Sequence, residues 1–285
     1  MAVRRDLLFI LVLFVFLAVV LVAAPQNAPL ELLGNGQHPS VPFQEGEKLR
    51  YAVNWKPLFL TPAFKAGELS FSIRQSEYKE HPTYTILASA FSEGLLSSIA
   101  GLQVRDTFES YIDRETLRSY RLFRQVRQNK RKRDLEVVFD YDRDAILVHE
   151  TNLAKDPPDE VRKKFDGIPG PIADVLSVFY VARLHQLEPG QEYQVHLSER
   201  GKSKQIRLQV HTRETVQTEI GEFNAILVST VGGLFRDGGD FRIWYSTGPL
   251  RFPVQFEADV KIGTVYGKLI GLETPQESRS VIRID

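Results

Sequence analysis

Period-two alternation of apolar and polar residues runs through most of this chain, the pattern of strands with one buried face. Leu49, Tyr51, Val53 and Trp55 alternate with Lys48, Arg50, Ala52 and Asn54. After a loop holding Pro57 and Pro62, Leu69, Phe71 and Ile73 alternate again. Tyr84, Ile86, Ala88 and Ala90 predict a third strand, and Val104, Asp106, Phe108, Ser110 and Ile112 a fourth. Tyr120 to Val126 and Leu135 to Tyr141 read as a hairpin around the polar turn Gln128 to Lys132, and Ile146 with Val148 as one more short strand.

The alternation then stops. Thr151 to Pro171 is charged and broken by Pro157-Pro158 and Pro169-Gly170-Pro171, and it reads as a loop. The one helix predicted spans Ala173 to Leu187, with Val175, Leu176, Phe179, Ala182, Arg183 and Leu184 mainly on one face and Pro189-Gly190 as its stop. Asp174 near its start suits the helix dipole. Strands resume at Tyr193 to Leu197, Ile206 to Val210, Thr215 to Glu219, Phe223 to Val231, Phe241 to Tyr245, Val254 to Val260 and Val265 to Leu272. The fold class expected is therefore all-β and mainly antiparallel: a curved sheet or half-barrel, or a sandwich, with one central covering helix.

The N-terminus fixes the compartment expected. Arg4 and Arg5 precede an apolar run from Leu7 to Ala24 and then Pro25, so residues 1–24 read as a signal peptide or a signal anchor. Val22-Ala23-Ala24 permits cleavage, while a run of about 18 residues is nearly long enough to span the hydrocarbon core and favours retention. Residues 25–42 lack periodicity and read as a tether. Residues 43–273 form the β-rich part, as one unit or as two halves, 43–150 and 190–273, joined by 151–189; 274–285 is a tail. The expected location is the periplasm, with residues 7–24 in the inner membrane or removed.

Composition narrows the chemistry. Lys plus Arg and Asp plus Glu are equal at 36 each, so bulk charge points to neither nucleic acid nor a membrane surface. The chain has no cysteine, which removes thiol catalysis, cysteine-rich zinc sites and thiolate-bound iron–sulfur clusters and leaves core packing to stabilise an exported protein.

Several local signatures occur in order. Gly46-Glu47-Lys48-Leu49-Arg50-Tyr51 with Trp55 opens the β-rich part, followed by Ala66-Gly67 and by Asp106-Thr107-Phe108-Glu109-Ser110-Tyr111-Ile112-Asp113. Then come Asp174 to Tyr180 with Arg183, Pro189-Gly190, Gly221-Glu222-Phe223, and Ile243-Trp244-Tyr245-Ser246 with Pro253-Val254. The series, from about Phe43 to Leu272, resembles the bacterial exported family known as domain of unknown function 3108. The resemblance implies a β-rich envelope protein without an established activity, and it brings no catalytic residues.

Among candidate groups, Asp106, Glu109 and Asp113 are the most tempting carboxylates for glycoside hydrolysis. Strand alternation puts Asp106 and Glu109 on opposite faces, and Asp113 lies on the order of 13 Å from Glu109 at strand rise. Asp113-Arg114 reads as a turn. The six histidines, His38, His81, His149, His185, His196 and His211, show no paired metal spacing, though His196 and His211 are placed to face each other on neighbouring strands. No metal site and no cofactor is expected. The glycine-rich loop from Gly232 to Gly239 carries Leu234 and Phe235, readable as a contact tip or as packing. Arg127, Lys130, Arg131, Lys132 and Arg133 crowd one hairpin tip. They read either as a contact for an anionic surface or as a solvated turn that discourages edge association. Trp55, Tyr51, Trp244 and Tyr245 read as core and rim aromatics; Trp55, Trp244, Leu234 and Phe235 are the ligand-contact candidates should the sheet enclose a cavity.

The function expected is that of a non-enzymatic envelope protein that binds a lipid or another hydrophobic envelope component. The alternatives are an assembly partner of another envelope protein and a polysaccharide-acting enzyme. Nucleic acid is not an expected partner.

Overall fold

A computed structural model describes residues 43–58, 62–93, 103–231, 239–260 and 263–275. The apolar run 7–24, the tether, His38, Leu234, Phe235 and residues 276–285 lie outside the described residues; no helix within them is long and apolar enough to cross a membrane.

The predicted alternation becomes fourteen antiparallel strands. They are β1 (Lys48–Pro57), β2 (Phe64–Tyr78), β3 (His81–Ser92), β4 (Arg105–Asp113), β5 (Ser119–Gln128), β6 (Arg131–Asp140), β7 (Ala145–Asn152), β8 (Asp159–Asp166), β9 (Glu192–Glu199), β10 (Lys202–Thr218), β11 (Gly221–Val231), β12 (Phe241–Ser246), β13 (Pro253–Val260) and β14 (Gly263–Glu273). All belong to one sheet in the order β8-β7-β6-β5-β4-β3-β2-β1-β14-β13-β12-β11-β10-β9. Each strand pairs with its neighbour in sequence, except that β1 closes onto β14 (Tyr51 opposite Leu269, Trp55 opposite Val265) and β8 and β9 are left as the two edges.

The edges meet without joining. The β9–β10 turn packs Gly201 against Val148 of β7 and Phe165 of β8, and Arg200 reaches Glu150. The sheet is thus strongly curved but unclosed, and its concave side is filled by the segment after β8. Ile172 O accepts from Ser119 N (2.8 Å), and Ala173 pairs with Leu197 of β9 as a parallel bridge. Ile172, Ala173, Leu176, Tyr180, Val181 and Leu184 join residues from all parts of the sheet in one apolar cluster.

Three expectations need correction. The helix expected over Ala173–Leu187 shrinks to α1 (Ser177–Val181) and one 3-10 turn, Ala182–Leu184. Both ends are claimed by other interactions. Ala173 is in strand pairing with β9, and His185 is already extended (φ −93°, ψ 148°). Three valines in the stretch add little helix propensity to resist this. Secondly, the expected loop 151–171 contains β8. Seven of its eight residues are exposed and only Phe165 is half-buried, so an edge strand of this kind carries no apolar alternation to read. Thirdly, Ile206 to Val210 and Thr215 to Thr218 belong to one strand, β10, bent by an irregularity between Val210 and Arg213.

Candidate functional site at one rim of the sheet

Antiparallel order brings the end of β1, the end of β3, the start of β4, the β5–β6 turn and the end of β7 to the same rim. At this rim the inward face changes character. Along β4, β5 and β6 the inward positions are mostly apolar away from the rim (Phe108, Leu122, Leu135 and Val137, with Ser110 polar), and toward the rim Asp106, Arg124, Gln128, Arg131 and Arg133 take over around Val126. Strand alternation thereby divides the basic hairpin of the sequence. Arg131 and Arg133 share the inward face with Leu135, while Arg127, Lys130 and Lys132 belong to the outside or the turn.

Asp106 is 1% exposed and organises the inner group. Its Oδ1 accepts from Arg127 N (3.0 Å) and its Oδ2 from Gln128 Nε2 (2.6 Å), with Arg124 Nη2 at 3.6 Å. Arg124, equally buried, lies over the Phe108 ring at 5.0 Å. Arg133 donates to Glu150 (2.6 Å), which Arg200 also reaches from the β9–β10 turn. Four guanidiniums, from Arg124, Arg131, Arg133 and Arg200, thus stand with two carboxylates.

The electrostatics reflect this excess. Burial, and then the Arg133 and Arg200 guanidiniums, push Arg131 down from its ordinary range; Asp106 and Glu150 oppose them. Burial also raises Asp106, against the Arg127 N–H, Arg124 and Gln128. Glu150 is partly buried too, but its bonds and attraction to Arg133 and Arg200 outweigh that and hold it below the usual carboxylate range. Gln128 Oε1 is buried with no hydrogen-bond partner. A third anionic group, beside Asp106 and Glu150, would relieve this crowding of like charge.

The wall next to the cluster is apolar. Inward-facing Trp55, Phe64, Ala66 and Ala90 occupy the rim ends of β1 to β3, with Trp55 and Phe64 rings 6.3 Å apart. Trp55 is buried and its Nε1 has no partner. On the outside of the same rim lies a groove of about 660 Å³, lined by Phe91, Val104, Arg105, Arg127, Asn129 and Lys132 among others. Arg127 there is paired with Asp134 at 2.7 Å, whereas Lys130 and Lys132 are exposed.

The remaining candidates are dispersed. Glu109 pairs outward with Arg121 (3.3 Å), and Asp113 caps the β4–β5 turn through the Thr116 N–H and hydroxyl and the Tyr120 hydroxyl. The carboxylates of Asp106, Glu109 and Asp113 therefore serve three different environments. His196 and His211 do not face each other: His196 is opposite Gln205, and His211 bonds Ser229. Among the described residues no three His, Asp or Glu side chains gather as a metal site. Trp244 donates its Nε1–H to Glu214, away from the arginine cluster.

Two buried polar anchors were not read from the sequence. Arg183 makes a two-pronged bond with Glu47 (2.7 and 2.8 Å) and donates to Leu250 O, among Phe43, Tyr180 and Phe252. Burial disfavours the guanidinium, but Glu47 outweighs it and Arg183 is raised. Asp174 accepts from Ser110 of β4, Ser119 of β5 and the N–H groups of Leu176 and Ser177. Both hold the inner segment against the sheet.

A single curled antiparallel sheet with unpaired edges and an inner plug defines a β-barrel-like protein. The chain belongs to the DUF3108 family of proteins of unknown function, whose pattern matches residues 50–270. Among solved structures it is similar to a β-barrel-like protein of domain of unknown function DUF1849 from Brucella abortus. The TM-score is 0.53 at 11% identity, over 81% of this chain and 98% of that one, a likeness of fold alone. A protein with YmcC-like fold from Bacteroides fragilis aligns over 82% of this chain and 98% of its own at 14% identity, but at a TM-score of 0.29 it bears on no architecture. No curated protein matches the chain.

Proposed function

We propose that this is a non-enzymatic envelope protein that binds an anionic amphiphile, such as an acidic lipid, inside one rim of its curved sheet. The observation that carries the reading is the guanidinium excess on the inner side of this rim, Arg124, Arg131 and Arg133 on the inward face with exposed Arg200 reaching in from the β9–β10 turn, against Asp106 and Glu150, in a chain whose overall charge is balanced. Guanidiniums suit phosphate or carboxylate oxygens because their planar donors match them two at a time. Trp55, Phe64, Ala66 and Ala90 supply an apolar wall next to that polar one, the arrangement an acyl chain and its headgroup require. The periplasm is the compartment in this reading, with residues 7–24 as inner-membrane anchor or cleaved signal.

The assembly-partner reading has one observation in its favour. Edge strand β8 is exposed from Asp159 to Lys164, short of Phe165 under the β9–β10 turn, and there it has an unpaired edge. Its charged side chains, Glu160, Arg162, Lys163 and Lys164, discourage such pairing, and the arginine cluster is left without a role.

Residues 43–275 contain the whole sheet and the core it encloses, so residues 26–285 are the unit to test. Exported in a bacterial host and weighed by native mass spectrometry, this unit is expected to carry an acidic lipid. Arg131→Gln with Arg133→Gln is expected to remove the lipid while circular dichroism stays unchanged. A wild-type protein that emerges without lipid, and that acidic lipids fail to stabilise against heat, overturns the proposal.

A further inference from the structure

We infer that the same rim is a docking surface for a bilayer containing anionic lipids, with a lipid headgroup seated in the outer groove. This rests on the reading above, because the strand ends that carry the rim also carry the inward arginines.

Three of the large apolar side chains exposed among the described residues lie at this end: Leu58 (60%) after β1, Phe91 (41%) on β3 and Leu153 (37%) after β7. The opposite rim has Ile220, and Leu87, Leu147 and Val161 lie within strands. Each rim residue near the groove has a cation beside it. Phe91 is directly opposite Arg105 in the β3–β4 register. Leu153 N donates to Lys132 O at 2.9 Å, which holds Leu153 next to that lysine. Gln103 and Asn129 exchange two bonds (2.7 and 3.0 Å) that fix the Lys130 turn beside the start of β4.

Arg105, Lys130 and Lys132 are exposed. Of the acids nearby, Glu93 is held by Lys65 (2.9 Å) and Asp159 by Lys155 (2.7 Å), while Asp156 and Asp240 are exposed. Apolar tips flanked by long cationic side chains match the boundary between acyl chains and phosphates: the tips enter and the cations extend to the headgroups. An uncharged protein surface would satisfy the apolar tips and leave the cations without partners, so the bilayer is the occupant favoured by charge.

Cosedimentation of residues 26–285 with vesicles tests this. The protein is expected to bind mixed phosphatidylglycerol–phosphatidylcholine vesicles, to lose binding as salt rises, and to ignore pure phosphatidylcholine. Each cation near such a surface is worth about fivefold, so the triple change Arg105→Gln, Lys130→Gln, Lys132→Gln should weaken binding on the order of 100-fold. Leu58→Asp with Phe91→Asp should weaken it as well, with near-ultraviolet circular dichroism unchanged. Wild-type protein that stays off the anionic vesicles, or rim variants that bind like wild type, overturn the docking surface. The two proposals fail separately. Binding of monomeric short-chain phosphatidylglycerol without vesicle binding sinks only the docking surface. Vesicle binding that survives Arg131→Gln with Arg133→Gln, in a protein that never carries lipid, sinks only the inner site.

Discussion

At the scale of single residues, the buried carboxylate of Asp174 does for the inner segment what a long helix would otherwise have done. Its Oδ2 accepts from Ser110 Oγ (2.5 Å) and Ser119 Oγ (2.7 Å), and its Oδ1 from Leu176 N (2.8 Å) and Ser177 N (3.0 Å). One side chain thus ties two strands and the start of α1 together. An asparagine keeps one carbonyl oxygen for the two N–H groups, and its NH₂ can donate to hydroxyls that rotate to accept. Alanine leaves two hydroxyls and two N–H groups buried without their acceptor. Asp174→Asn is therefore expected to cost about 1–2 kcal/mol and Asp174→Ala about 3–5 kcal/mol. Urea denaturation of the two variants checks this, and equal losses would refute the hydrogen-bond account. In the sequence Asp174 was legible only as a helix-start residue, because Ser110 and Ser119 lie 64 and 55 positions away. Arg183 was visible on an apolar face, but its partner Glu47 is 136 residues distant. No local spacing encodes such pairs.

At the scale of elements, legibility followed burial. Strands with one buried face, such as β4 (Asp106, Phe108, Ser110 and Ile112 inward), show the alternation plainly. Edge strand β8 has almost nothing to bury, so it left no trace in the sequence. The basic hairpin was visible as a charge run, yet its division into inward Arg131 and Arg133, outward Lys132 and turn residue Lys130 needed the start of β6 and its alternation with buried Leu135. What holds β8 and β7 to the far edge is the β9–β10 turn. Gly201 there has φ +82°, and an added Cβ would sit 2.7 Å from Phe165 Cε2 as well as against Val148. Gly201→Ala meets both a rarely allowed backbone conformation and a closed contact, and should destabilise the protein by about 1–3 kcal/mol. Because the contact is the one that pins the sheet's edges, hydrogen exchange should quicken in β7 and β8 before β1 and β14. A uniform rise across the sheet would mean that the turn does not act as the seam.

At the scale of the whole molecule, neighbours in sequence supply most of the pairing, but three long-range features decide the curvature. β1 joins β14, the β9–β10 turn lies on β7 and β8, and the segment 172–184 spans the gap between β9 and β5. Each draws on both sides of residue 167. A piece ending at Asp166 keeps β1 to β8 but loses β14 from the edge of β1, Asp174 from Ser110 and Ser119, and Arg183 from Glu47. The Glu47 carboxylate would then lack its counterion, and keeping it buried would cost on the order of 3–5 kcal/mol. That is a large share of the 5–15 kcal/mol by which domains are commonly stable. Residues 43–166 made alone are therefore expected to show no cooperative thermal transition. Made together with residues 167–275, they should recover one by reassembling β1 on β14 and seating Arg183 on Glu47. A cooperative melt for the first piece alone would show instead that β1 to β8 carry their own core, and that curling around the inner segment is a second and separable step.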